Sequence, residues 1–344
     1  MTTSKPKLKH PRAKHDFKGR TCSITGVGSY LPSRILTNAD LERLVDTSDE
    51  WITSRTGIKE RHIAAQDEFT SDMAAQAGLR AMDHAGVRAE QLDLLVVATI
   101  TPDMLFPATA CLVQRKLGAF RAAALDIEAA CSGFIYGLEI GQHFIMARTY
   151  DTVLVIGAEK LSSIVDWNDR NTCVLFGDGA GAAILQNRPG SHGLLATCIG
   201  ADGSKADLLS MPGGGSRCPA TADSVTARLH YLRMDGRETF KNAVNAMYTA
   251  AVEALRRCEV DIAQIACVIP HQANRRIIDA VTDRLGAKPD QVFVNVHKCG
   301  NTSAASVAIA LDEAVRSGRI QRGDLILLMV FGAGLTWGAA IIEW

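Results

Sequence analysis

Six short apolar runs punctuate the chain: LDLLVVATI (92–100), DTVLVIGAE (151–159), AAILQ (182–186), IACVIP (265–270), VFVNV (292–296) and DLILLMVFG (324–332). They are predominantly apolar, the first two strongly β-branched, and lack the alternation of a strand with one wet face. Strands that are apolar throughout belong to a sheet covered on both sides. Helix-patterned segments lie among the runs, at 70–86, 132–148, 238–258, 273–286 and 303–318. Alternating strands and helices imply a layered α/β fold.

The two halves of the chain repeat one pattern. In the first, LLVVAT leads to a helix, AALDIEAACSG to another, and TVLVIGAEK follows. In the second, IACVIPHQ leads to a helix, VFVNVHKCGNTSAAS to another, and LILLMVFGAG follows. The period is about 170 residues, and the likeness is structural rather than literal. Two similar halves packed face to face are expected. Cys131 and the Asn301–Ser303 stretch then occupy matching strand-to-helix corners, able to meet at one site. A Gly-, Pro- and Ser-rich region, 188–237, separates the halves; SMPGGGSRCPA is its plainest loop. The division expected is a leader over 1–20, a half carrying the cysteine over 21–190 and a half carrying histidine and asparagine over 191–344.

With 344 residues the chain suits about two domains or one fused pair at roughly 150 residues each. Lysine plus arginine equals aspartate plus glutamate at 37 each, so no global field favours nucleic acid or a membrane surface. An anionic ligand needs a local basic patch. The chain contains no apolar run long enough to span a bilayer. The basic first twenty residues lack the apolar stretch of a secretory signal and read as a disordered leader. A reducing, cytoplasmic setting is expected for the nine cysteines, none of which is spaced as a zinc pair; no metal site is expected.

One cysteine stands apart. In LDIEAACSGFIYG a strand runs into a small-residue turn and a helix opens at Ser132 or Gly133, which sets Cys131 at a helix N-terminus. Unpaired amides and the helix dipole favour thiolate there, the nucleophilic form. The plainer reading is a buried structural thiol. His271 follows a strand and precedes a helix, where α/β folds place functional side chains; a core histidine or a cap is the alternative. Asn301 is by default an N-cap, or else an amide donor aimed into a cleft. Cys299 ranks below Cys131 because its helix opens only at Thr302 or later, and His62, His143 and His230 read as structural. GDGAGAA (177–183) and GVGSYLP (26–32) match neither the nucleoside triphosphate nor the dinucleotide spacing. A backbone N–H of FGAGL is a candidate oxyanion donor.

Six motifs together carry a family resemblance: TSDEWITSRTGIKERH (47–62), EAACSGF (128–134), LFGDGAGAA (175–183), HQANRRI (271–277), GNTSAAS (300–306) and FGAGLTWG (331–338). From about residue 21 onward the sequence resembles the β-ketoacyl-acyl carrier protein synthase III family of condensing enzymes. That resemblance implies a thiolase-like, five-layered α-β-α-β-α fold from two duplicated halves. Asn301, where elongating synthases of the superfamily have a second histidine, favours the initiating class.

The implied reaction starts with attack of Cys131 on an acyl-CoA, acetyl-CoA being the expected primer. Malonyl-acyl carrier protein then loses carbon dioxide, His271 and Asn301 stabilise the enolate, and the enolate attacks acyl-Cys131. The oxyanion hole would be the N–H groups of Cys131 and Ala333. Coenzyme A, a substrate rather than a cofactor, would meet Thr47, Trp51, Arg55, Arg170, Phe240, Ala273 and Asn274. The carrier protein would meet Lys241, Gln272, Arg275 and Arg276. Phe331 would line the acyl pocket, and Phe106 would reach the pocket of a partner in a homodimer. Three positions depart from the family pattern: Ala333 and Asn171 stand where glycine is usual, and Arg275 where an aliphatic is usual. A condensing or acyl-transfer enzyme of a secondary pathway is the competing reading, and a non-catalytic dimer subunit the remote one.

Overall fold

The structure, a computed structural model, describes residues 20–188 and 193–344. The leader expected over 1–20 lies, apart from Arg20, outside the described residues, and so does the division point at 190.

The first sheet is built from β1 (Cys22–Tyr30), β2 (Leu94–Ala98), β3 (Ala123–Ile127), β4 (Thr152–Glu159) and β5 (Gly179–Asn187), in the order β1-β5-β4-β2-β3. β2 runs parallel to β3 and β4, whereas β5 is antiparallel to both β4 and β1. The second sheet contains β6 (Leu194–Ala201), β7 (Cys267–Pro270), β8 (Leu325–Gly332) and β9 (Thr336–Glu343), in the order β7-β8-β9-β6. β7 is parallel to β8; the other pairs are antiparallel. Val292 bridges Val268 on the far side of β7, in the place β3 holds in the first sheet. The two sheets therefore share one topology. VFVNV, expected as a full strand, contributes only that bridge.

Three core clusters separate five layers. Helices α2 (Thr70–Ala85) and α3 (Thr109–Leu117) cover the outer face of the first sheet. Helix α4 (Gly133–Met146) lies between the sheets, with Phe134, Ile135, Leu138 and Ile145 wholly buried. On the outer face of the second sheet, α5 (Gly236–Cys258) buries Ala243, Met247 and Ala250, and α6 (Arg275–Leu285) adds Val281. The last helix, α7 (Ser306–Arg316), joins α4 in the central layer. The expected α-β-α-β-α order is the observed one.

Small residues allow the central layer to sit so close. A Cβ on Gly157 of β4 would stand 2.3 Å from the Ala304 carbonyl oxygen, and one on Gly137 of α4 would stand 2.6 Å from Val155. The glycine-rich stretch before AAILQ belongs to the strand itself: β5 runs from Gly179. Its glycines face α7: a Cβ on Gly181 would stand 2.5 Å from that of Ala308.

Candidate active site

The two halves bring matching corners together. Before α4 the chain makes a short 3-10 turn, Ala130–Ser132; before α7 it makes another, Ser303–Ala305. Each turn opens on a non-glycine residue in the left-handed region, Ala130 at φ 45° and Ser303 at φ 48°. Such a conformation costs about 1–3 kcal/mol and survives only where the surroundings impose it. At the second corner the Asn301 carboxamide Oδ1 accepts from the Ser303 N–H at 2.9 Å. Asn301 is therefore not the N-cap expected by default, since Thr302 stands at the cap of the turn and Ala305 at that of α7; its oxygen braces the loop, while its Nδ2 has no hydrogen-bond partner among the described residues and remains a donor.

Cys131 is buried in the first turn, and its thiol hydrogen-bonds the Ser303 side chain. Burial pushes the thiol up to about 12; the Ser303 contact opposes that rise and the nearby Glu159 charge adds to it. The sequence-based expectation of a standing thiolate is therefore corrected. The helix end is present, but the cost of a charge in a dry site outweighs it. Ser303 Oγ in turn donates to Glu159 Oε1 at 3.0 Å. Glu159, the last residue of β4, is wholly buried and also accepts from Thr101 Oγ1 at 2.7 Å, Thr99 Oγ1 at 3.2 Å and the Ile100 N–H at 3.1 Å. Burial raises it to about 7.

His271 leaves the end of β7 with its N–H on the Met329 carbonyl at 2.8 Å. Its Nδ1 lies 2.6 Å from Ser306 Oγ at the start of α7. Burial lowers the imidazole to about 3, so it is neutral at physiological pH. The six residues Asn301–Ser306 thus contain Asn301 and touch both Cys131, through Ser303, and His271, through Ser306. This is the convergence that the repeat implied.

A cavity of about 400 Å³ opens on the thiol, lined by Cys131, Ser303, Ala333, Ile164, Phe176 and Met211 among others. Ile100, Leu209 and Leu232 add to its apolar wall. Residues 206, 209–211 and 232 belong to the region expected to be a linker; it forms a side of the cavity and supplies β6 to the second sheet. Ala333 carries no left-handed backbone, the positive φ falling on Gly334, so a side chain is tolerated there. Asn171 is likewise unstrained and exposed, bonded to Asp169. Phe331 is a correction. It is absent from the cavity lining and packs into the core between the second sheet and α5, because neighbouring strand residues face opposite sides.

The residues expected to meet coenzyme A are absent from the lining of that cavity and lie in two neighbouring groups, one around the helix before Gly57 and one around the start of α6. Helix α1 (Asp49–Thr56) carries Trp51, with the Arg55 guanidinium 4.5 Å and the Arg170 guanidinium 5.1 Å from the ring centre. Thr47, just before the helix, has a buried hydroxyl without a hydrogen-bond partner. Gly57, which ends α1, packs against Arg275 at the start of α6. Asn274 caps α6 and Ala273 is half-buried beside it. Arg276 lies 6.0 Å from the Phe240 ring. Lys241, Arg275 and Arg276 are exposed, as a docking surface requires. Gln272 is not: it is 1% exposed, donates to Pro270 O at 2.7 Å and accepts from the Asn295 and Val296 N–H groups. The expectation that it meets a carrier protein is withdrawn; it fastens two loops. Phe106 is 83% exposed.

Cys299 is buried, outside the cavity lining, and pushed up to about 12. His62 is held by Pro32 O, His143 by Glu139 O and His230 by Ser224. Sequence reasoning missed Glu159 and Ser306. The signal for Glu159 was a carboxylate closing an otherwise apolar strand.

Known proteins resemble this chain in sequence and in fold. Family models of 3-oxoacyl-[acyl-carrier-protein (ACP)] synthase III match residues 125–203, and of its C-terminal region residues 255–344. A beta-ketoacyl-[acyl-carrier-protein] synthase III of Caldanaerobacter subterraneus subsp. tengcongensis is 57% identical over 93% of this chain and 97% of its own. The crystal structure of 3-oxoacyl-[acyl-carrier-protein] synthase III from Aquifex aeolicus VF5 superposes with a TM-score of 0.87 at 50% identity, covering 94% of this chain and all of that one. The priming beta-ketosynthase of the R1128 polyketide pathway superposes with the same TM-score at 36% identity, over 98% of each chain. With identity of this degree along nearly its whole length, the chain belongs to the 3-oxoacyl-[acyl-carrier-protein] synthase III family.

Proposed function

We propose that this enzyme condenses an acyl-CoA primer with malonyl-acyl carrier protein, releasing carbon dioxide, to give the 3-oxoacyl-acyl carrier protein that starts fatty acid synthesis. The observation that carries the reading is the segment Asn301–Ser306, which gathers a buried thiol, a neutral imidazole and a carboxamide donor at the meeting of the two corners.

In the first half reaction the Cys131 sulfur attacks the primer thioester, and coenzyme A departs. The N–H groups of Cys131 and Ala333 receive the oxyanion. In the second half, loss of carbon dioxide from the malonyl group leaves an enolate whose charge sits on the thioester oxygen. With Ser306 donating to Nδ1, His271 keeps its proton on Nε2 and donates it to that oxygen; Asn301 Nδ2 is the second donor. Donors fixed in a dry site before charge appears cost no reorganisation as it develops. A neutral imidazole suits the role, since it does not give up its proton to the enolate outright.

The basic residues Arg55, Arg170, Arg275, Arg276 and Lys241 would support binding of the nucleotide phosphates and of an acidic carrier protein. Acetyl fits the cavity with room to spare, because about 400 Å³ lies within the range of pockets for whole small ligands, roughly 300–1,000 Å³. The apolar wall favours primers longer than acetyl as well. We take the working form to be a cytoplasmic homodimer.

Mass spectrometry after exposure to acyl-CoAs of increasing length is the test. The Cys131 peptide should gain the acyl mass, and Cys131→Ala should not. His271→Ala and Asn301→Ala should still be acylated, yet lose about 10²–10³-fold in condensation. An unmodified Cys131 across the whole panel would refute the reading, and full condensation by either mutant would refute the roles.

A further inference from the structure

Among the described residues Glu159 is the carboxylate wired to the nucleophile, and the mechanism above does not use it. It is wholly buried, and among the described residues no lysine, arginine or histidine lies within ion-pairing distance. Its neighbour Lys160 turns its ammonium away, onto the carbonyls of Ala65 and Glu68. The groups that face the carboxylate are three donors from the loop after β2, namely Thr99, Ile100 and Thr101, and Ser303 from the corner before α7. Beyond Ser303 stands the Cys131 thiol. The hydroxyl of Ser303 is held between thiol and carboxylate by a left-handed backbone and by the Asn301 Oδ1 that accepts from its N–H.

Resting on the condensing reading, we propose that Glu159 is a positioning residue that stores the Cys131 proton, passed through the Ser303 hydroxyl, for as long as Cys131 is acylated. The step balances. The S–H bond breaks as its proton moves to Ser303 Oγ, and the Ser303 O–H bond breaks as that proton moves to Glu159 Oε1. The thiolate then bonds to the acyl carbon, and coenzyme A leaves as a thiolate that takes its proton from water. When the enolate later displaces Cys131, the sulfur leaves as thiolate and regains the proton from Glu159 by the same route reversed. One solvent proton is consumed per turnover, on coenzyme A, and none is left on the enzyme.

Two physical reasons favour this transfer. A thiolate and a carboxylate this close, in a dry site, cannot both be charged at low cost, so ionising one protonates the other. Moving the proton internally also leaves the net charge of the buried site unchanged while the thiolate forms. His271 is not available as the acceptor, because its Nδ1 is occupied by Ser306 and its Nε2 carries the proton that the second half reaction needs.

The test is the pH profile of single-turnover Cys131 acylation by acetyl-CoA, run beside alkylation by iodoacetamide. The native enzyme should react faster as pH rises through about 7, where Glu159 ionises, and level off above. Glu159→Gln keeps the size and shape of the side chain but cannot take a proton. At pH 7 it should lose about 100-fold in both reactions, and its profile should instead rise steadily with alkali. Ser303→Ala should show the same loss, and the double variant no more than either single one. It also stands in where Glu159→Gln does not fold. A native rate and profile in either folded single variant, or a loss that multiplies in the double, overturns the proposal. The iodoacetamide arm needs no acyl substrate. It reports on the relay even if no acyl-CoA proved to be a primer, which would count against the condensing reading alone.

Discussion

Glu159 also titrates in a way that stability measures directly. Its folded value, about 7, is raised above the ordinary 4.5 by burial. A raised acid favours the folded state fully below 4.5, where it is protonated in both states. That contribution is lost as pH climbs towards 7, because the unfolded chain sheds the proton first. Above 7 the native protein carries the whole cost, about 3 kcal/mol at 1.36 kcal/mol per pKa unit. Glu159→Gln has no such titration, so its urea midpoint relative to the native protein should improve between pH 4.5 and 8; a constant difference would mean that Glu159 is not raised. The raised titration was not legible in the sequence, which shows only a carboxylate closing an apolar run. Cys131, His271 and Asn301 were legible because each follows a strand or turn that delivers it to a corner. What each side chain faces was not. Gln272 and Phe331 sit in motifs as telling as those of their neighbours, yet one ties loops together and the other enters the core. The thiolate expected at a helix end failed for the same reason, since burial is a property of the whole fold.

At the scale of elements, α4 decides where the nucleophile stands. Its glycines recur at positions 133, 137 and 141, and that stripe rests on the first sheet. A Cβ at Gly141 would come within 2.7 Å of Leu185, and one at Gly137 within 2.6 Å of Val155. Both neighbours are buried core side chains with nowhere to retreat. Gly137→Ala gains a little helix propensity, up to about 1 kcal/mol. It should still destabilise by about 1–3 kcal/mol through overpacking, and by lifting α4 should slow Cys131 acylation more than it weakens binding of coenzyme A. Denaturant unfolding and single-turnover acylation check the two halves of this expectation; an unaltered midpoint would show that the sheet yields. The helices themselves were well marked by sequence: 238–258 was expected where Gly236–Cys258 is found, and 303–318 where Ser306–Arg316 is found. Strands β1, β6 and β9 were not read, and glycine explains two of these. β1 includes Gly26 and Gly28, which let α2 lie against its backbone, and β6 includes Gly200, above which the Trp337 ring lies. Glycine that serves close packing is indistinguishable, in sequence alone, from glycine that serves a turn.

At the scale of the whole molecule, the described residues expose a group of large apolar side chains around α3. Met104, Leu105 and Phe106 are 48%, 84% and 83% exposed, in the loop that precedes α3, and Phe120, in the turn that follows it, is 72% exposed. Single exposed hydrophobes are ordinary, but four large ones flanking one helix mark an interaction surface. That the halves repeat each other within the chain does not cover it, because the pseudo-symmetry buries α4 and α7 and leaves α3 on an outer layer. A second copy related by a two-fold axis would present the same patch to itself, the commonest way a soluble chain closes such a surface. Leu105→Asp puts a charge at its most exposed point, far from the buried cores, so the monomer fold should persist. Sedimentation equilibrium should then show the native enzyme as a dimer and the variant as mostly monomer. Its condensation rate should fall with the dimer fraction, recovering at high protein concentration, if the partner's loop closes the acyl cavity. A variant that remained dimeric would move the interface elsewhere; a fully active monomer would show that each cavity is complete within one chain.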